Sequence, residues 1–186
     1  FNVLRRQPRI LDKGLKRDFK LDPFTIKRQE SVVYNDVKII DKFNGHIFGL
    51  ALDIGTTTIV MNLVDLQKGT ILGTSSFENP QRFGGSDTMH RISYETGSFK
   101  GELQAVLISG INFEIGELCK EYKIRRRWIY EMVIVGNSTM RDICFGIDVS
   151  TIGQKPYKSL TQLEKENGNR DSTSVTTNAK TLGIRI

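Results

Sequence analysis

The sequence is short of the residues that define several functional classes. Only two cysteines occur in 186 residues, Cys119 and Cys144, with no C-x-x-C pair between them. That is neither a disulfide framework nor a zinc or iron–sulfur ligand set. The two histidines, His46 and His90, have no second ligand at metal spacing, and an ordinary structural or surface role is expected for both. No window approaches the roughly 18 uncharged apolar residues that a membrane span needs. Phe1 is not a start methionine, and the first residues alternate charge with apolar side chains. That beginning fits neither a secretory signal nor a translation start, so a piece of a longer protein is expected. A reducing cytoplasm suits the free thiols.

Acidic residues are also too few to balance the charge. The chain carries 27 Lys+Arg against 21 Asp+Glu, a formal +6. The surplus is local: residues 1–46 hold 11 basic and 6 acidic side chains, and residues 47–186 hold 16 and 15. A nearly neutral body argues against nucleic acid as a partner, because a duplex binder carries its basic face on the folded part.

What is present reads as one domain with a partial neighbour. Residues 1–45 look like the end of a small middle domain or a linker. Ser31–Tyr34 and Val37–Ile40 are expected as short strands around an Asn35-Asp36 turn. From His46 the pattern sharpens. Residues 46–54 (H-I-F-G-L-A-L-D-I), 57–66 and 71–77 form three strands with connections short enough to require an antiparallel meander. A loop through Gly84-Gly85 leads to a short helix over 87–96, with Ser86 as its cap. Residues 100–122 are the clearest helix, with Leu103, Val106, Leu107, Ile111, Ile115, Leu118 and Tyr122 on one stripe and Cys119 on its buried side. The basic run Arg125-Arg126-Arg127 before Trp128 reads as a solvated turn. Residues 129–135 are a buried strand, followed by a helix to Phe145 capped by Asn137 or Ser138. Residues 161–186 form a polar excursion whose closing T-L-G-I-R-I starts a strand, a second sign of truncation.

The residues with chemistry are Asp53, Gly55, Thr56, Thr57 and Thr58, at the junction of the first two strands. A glycine in a tight turn lets successive backbone N–H groups converge on an anion, and the threonine hydroxyls add donors. A carboxylate at the end of the preceding strand repels bare phosphate but can hold a hydrated Mg²⁺ that neutralises it. Gly136 and Asn137 end the next strand, where ligands of open α/β sheets collect, and serve equally well as a helix entry with an Asn cap. Asn79, Gln81 and Asp87 are candidates for the cleft or a partner surface, or for hydrogen bonding within their loop.

F-G-L-A-L-D-I-G-T-T-T at the start of a β-meander resembles the first phosphate motif of the actin-like ATPase superfamily. The segments F-E-N-P-Q-R-F-G-G-S-D-T-M-H-R-I, I-V-G-N-S-T-M-R-D-I-C-F-G-I-D and K-P-Y narrow the likeness to reductive activators of corrinoid-dependent enzymes (RACo type) over about residues 46–160. The resemblance implies an α/β, ribonuclease-H-like first lobe of an actin-like ATPase domain. It implies ATP and Mg²⁺ as ligands of Asp53, Gly55, Thr56, Thr57, Thr58, Gly136 and Asn137. The partner implied is a corrinoid protein of a methyltransferase system, whose Co(II) is returned to Co(I), and homodimerisation is left open. The family's 2Fe–2S domain, second phosphate motif and adenosine motif are not in this sequence. The isolated chain, half of a nucleotide clamp, is therefore expected to bind ATP weakly or not at all. Two other readings stand beside this one: a small-molecule kinase of the same superfamily with Asp87 as general base, and a non-catalytic protein–protein interaction module.

Overall fold

The computed structural model describes residues 22–186; the expectations for residues 1–21 lie outside the described part. A small antiparallel sheet comes first, built from β1 (Thr25–Arg28), β2 (Ser31–Tyr34) and β3 (Lys38–Lys42) in that spatial order. Asn35 and Asp36 both take positive φ, and the Val37 N–H donates to the Tyr34 carbonyl at 3.2 Å. That is the two-residue turn whose twist matches a hairpin.

The main sheet has four strands in the order β6-β5-β4-β7. β4 (Phe48–Ile54), β5 (Thr58–Asp65) and β6 (Thr70–Glu78) form the expected antiparallel meander. β7 (Ile129–Gly136) lies parallel to β4 with Ile54 opposite Gly136, so the carboxyl ends of both strands meet at one rim of the sheet. A parallel neighbour requires a crossover, and α1 (Thr88–Thr96) and α2 (Glu102–Glu121) supply it. After β7 come α3 (Ser138–Phe145) and α4 (Leu160–Glu166).

The core sits on one face of this sheet. Leu50, Leu52 and Ile54 alternate inward on β4, Ile59, Met61 and Leu63 on β5, and they meet Leu103, Leu107, Ile111, Ile115 and Leu118 of α2. Burying each of these side chains contributes about 1.5–3 kcal/mol. The helix rests in a notch: a Cβ on Gly73 of β6 would lie 2.3 Å from the Tyr122 ring. Ser75 of the same strand donates to Glu114 of α2 at 2.5 Å.

Four local expectations are corrected. β7 is not a buried strand throughout, since Val133 and Val135 are 50% and 56% exposed. Among the described residues β7 pairs only with β4, and the helix layer covers the opposite face. The cap of α1 is Asp87, not Ser86; its carboxylate accepts the His90 N–H at 3.0 Å. The closing segment is not a strand. Residues 179–182 form a 3-10 turn, Asn112 of α2 binds the Gly183 carbonyl and the Arg185 N–H, and Ile184 packs into the core. Arg126 is not simply solvated: it donates to the carbonyls of Asn112 and Arg185, and Gly116 leaves room for its guanidinium. No helix among the described residues is long and apolar enough to cross a membrane.

Candidate functional site

The turn joining β4 to β5 is held almost wholly through its carbonyl groups. Asn79 Nδ2 donates to the Gly55 carbonyl at 2.8 Å, Arg91 Nη2 donates to the Thr56 carbonyl at 2.7 Å, and the Asn79 N–H donates to the Thr57 carbonyl at 2.8 Å. In a trans peptide the N–H points opposite to its C=O. Three carbonyls drawn toward buried donors therefore turn the amides of Thr56, Thr57 and Thr58 the other way. Those of Thr56 and Thr57 meet no backbone acceptor among the described residues, and Thr57 and Thr58 are exposed. The Gly55 amide is not part of this array, because it donates to the Thr58 carbonyl at 3.0 Å. Glycine is required here by close approach: a Cβ would sit 2.5 Å from the Thr58 oxygen.

The second loop arrives beside the first because β4 and β7 are parallel neighbours. Asn137 caps α3, its Oδ1 accepting the Met140 N–H at 3.0 Å, while its Nδ2 reaches Thr56 Oγ1 at 3.4 Å. The helix-cap role left open for Asn137 is thus filled by its Oδ1, while its Nδ2 joins the start of α3 to the turn. Gly136 lets the loops pass closely, since a Cβ there would lie 3.0 Å from the Ile54 carbonyl. Asp53 is exposed on the last turn of the pleat, opposite Val60 and Val135 and on the face away from the core. No cluster of three or more potential metal ligands occurs among the described residues. A lone exposed carboxylate fits a Mg²⁺ that keeps most of its water and is brought by phosphate, the usual habit of this ion.

Asn79 and Gln81, considered for the cleft or a partner surface, are both 0% exposed. Asn79 supports the turn from behind, with its Oδ1 accepting the Gln81 N–H at 2.9 Å. Gln81 Nε2 reaches the Leu103 carbonyl at 3.1 Å, anchoring the loop to α2. Asp87 remains at the surface, where its Oδ2 lies 2.7 Å from His90 Nδ1. Hydrogen bonds from His90 hold its carboxyl below the ordinary value. Already engaged as a cap and by this imidazole, Asp87 is poorly placed as a general base. The two thiols, Cys119 and Cys144, are buried, and burial pushes Cys144 up to about 12.

Arg91 is the residue against the turn that spacing did not mark. It is 1% exposed, and besides Thr56 it donates Nε to the Gly85 carbonyl at 3.0 Å and Nη1 to Met140 Sδ at 3.2 Å. Its neighbour Ile92 is buried with it, the one hint that this face of α1 points inward. A surface recess of about 600 Å³ lies between the 83–86 loop and α1, with Phe83 edge-on to Tyr94 and Tyr94 stacked on Phe99. Neither it nor a smaller recess of about 290 Å³ near Thr25 and Leu66 includes the turn.

Comparisons with known proteins agree with this architecture. Residues 48–182 match the family model described as "RACo middle region". The chain is 32% identical over 113 residues to the corrinoid activation enzyme RamQ of Eubacterium limosum, covering 60% of this chain and 19% of that protein. A solved structure of a "Reductive activator for corrinoid, iron-sulfur protein" superposes with a TM-score of 0.67 at 32% identity, over 80% of this chain and 22% of the other. The chain thus spans about a fifth of the length of these relatives. With a family model accounting for most of its length and every strand of its main sheet, the chain belongs to the RACo middle region family.

Proposed function

We propose that this chain is part of an ATP-dependent reductive activator, and that it supplies one wall of the nucleotide site. The amides of Thr56, Thr57 and Thr58 cradle the phosphates, their hydroxyls and Asn137 flank them, and Asp53 holds Mg²⁺ through water. The complete protein uses ATP to favour a state of its corrinoid partner in which Co(II) is reduced to Co(I). Binding closes an actin-like clamp of which this segment is the ribonuclease-H-like first lobe. The observation that carries the reading is the turn whose carbonyls are gripped from within while its Thr56 and Thr57 amides are left without a backbone acceptor among the described residues. An array of N–H groups fixed in advance is what a polyanion selects, because no reorganisation is needed on binding. The family membership and the functions named for the two relatives support corrinoid activation over other uses of such a turn.

The test uses the complete gene product with a corrinoid protein and a chemical reductant, following the Co(II)-to-Co(I) change by absorption. ATP is expected to accelerate or deepen the reduction, and Asp53→Ala to abolish that gain while leaving the fold intact. Reduction that ignores ATP, or an Asp53→Ala protein indistinguishable from the parent, overturns the reading. Calorimetry on the 186-residue chain alone is expected to give weak Mg-ATP binding, because phosphates with one side in water gain little from each contact.

A further inference from the structure

Arg91 has an unusual environment for a guanidinium. It is buried beneath the turn, and its three hydrogen bonds go to two backbone carbonyls and a thioether. No described carboxylate lies within ion-pair distance. Of the acidic groups on its own helix, Glu95 accepts the Gly101 N–H and the capping Asp87 is bound to His90. Burial accordingly pushes the guanidinium below its ordinary pKa, with only partial relief from the Asp87 charge. Buried cations are normally paired, because desolvating a charge costs more than neutral acceptors return. A fold that keeps an arginine in this condition leaves positive charge to be answered by something outside itself.

The direction in which that charge acts is set by the peptide plane it touches. Arg91 Nη2 binds the Thr56 carbonyl, and the other side of the same peptide carries the Thr57 N–H. A cation on the carbonyl polarises the peptide and strengthens its N–H as a donor, and hydrogen bonds in such a chain reinforce one another. Through Gly85 and Met140 the guanidinium also ties the 80–87 loop and α3 to the turn, so three elements share one fixed point.

We infer that Arg91 is the positioning residue of the phosphate turn: it fixes the Thr56–Thr57 peptide with its N–H outward and supplies the buried positive charge that a polyphosphate answers. The inference rests on the nucleotide reading above and adds the source of the site's charge.

The test is a titration of the 186-residue chain with inorganic tripolyphosphate and Mg²⁺, read by backbone and arginine side-chain NMR. In the wild-type chain the Thr56 and Thr57 amide resonances and the Arg91 Nε–H resonance are expected to move together. Arg91→Met is expected to weaken binding at least about tenfold and to flatten its salt dependence, as the loss of a nearby charge requires. Arg91→Lys, which keeps the charge but cannot reach all three acceptors, is expected to lose about threefold. A residue with only a structural role would lower the melting temperature without changing the salt dependence of binding. If Arg91→Met stays folded and binds as the wild type does, the inference is wrong while the turn remains a phosphate site. Should that variant not fold, Arg91→Lys and the wild-type Nε–H signal decide: an unaltered affinity or an unmoved resonance overturns the inference. If the complete gene product binds neither tripolyphosphate nor Mg-ATP, the nucleotide reading itself fails, and the inference with it.

Discussion

The two faces of the main sheet use the same strands for opposite purposes. On one, Leu50, Leu52, Ile54, Ile59, Met61 and Leu63 are buried beneath α2. On the other, Gly49, Ala51 and Asp53 of β4 stand beside Glu131, Val133 and Val135 of β7. That second face is closed at its lower end, where donors of β1 at Thr25 approach Glu131, and open at the rim, where Val133, Val135 and Asp53 are exposed. The packed face holds the hydrophobic core. The open face carries the one carboxylate of the candidate site, at the end where apolar side chains have least cover. The core and the carboxylate of the candidate site are thus separated by the pleat, one residue apart along β4.

Substitutions that break this division rank by size. Leu52→Ala opens a hole beneath α2 and is expected to cost about 2–5 kcal/mol in a denaturant melt. A cost below about 1 kcal/mol would mean that the packed face does not hold the fold. Asn79→Ala removes the donor on the Gly55 carbonyl and the acceptor of the Gln81 N–H. Leaving buried polar groups unpaired is expected to cost about 1–3 kcal/mol, and the Gly55 amide, bonded to the Thr58 carbonyl, should show faster hydrogen exchange. Val135→Thr on the open face is expected to change stability by no more than about 0.5 kcal/mol in this chain. A clearly larger loss in the complete gene product would show that its remaining parts cover this rim. The smallest effect concerns pH. Burial raises the Glu131 carboxyl above its ordinary value, so the fold favours its neutral form. Its contribution is full below the unfolded pKa of about 4.3 and is lost as pH rises through the higher folded value. Glu131→Gln should therefore raise the melting temperature at neutral pH and make no difference in acid; an equal gain at both would point to another cause.

The packed face could be read from the sequence almost entirely. Alternating Leu and Ile in β4 and β5 and the three-four spacing along α2 encode burial directly, and the observed α2 (Glu102–Glu121) falls within the expected 100–122. The open face was less legible. Ile129 to Val135 is a continuous apolar run, which looks the same whether one face or both are covered. β1 escaped notice because four residues after Pro23 carry too little alternation to stand out. α4 had a signal that went unused: Ser159 and Gln162 form a reciprocal capping box, and the S-x-x-Q spacing is visible in the sequence. At the candidate site, the turn residues were visible because a glycine and three threonines in a row, set between two apolar strands, concentrate backbone and hydroxyl donors at one point. Asn79 and Arg91 were not, because a polar residue that reaches backward into a carbonyl looks, in sequence, like any polar residue of a loop or helix face.

The hold on the turn from outside itself limits what could be done with the motif. Asp53 to Thr58 would not function as a portable cassette: grafted onto another hairpin, the hexapeptide would arrive without the asparagine 21 positions beyond Thr58 and the arginine 33 positions beyond it. Its carbonyls would then be free to swing toward water, and its amides with them. An engineer transplanting it would need to carry the whole segment through α1, and a search for related sites would gain discrimination by asking for the two distant anchors along with the glycine.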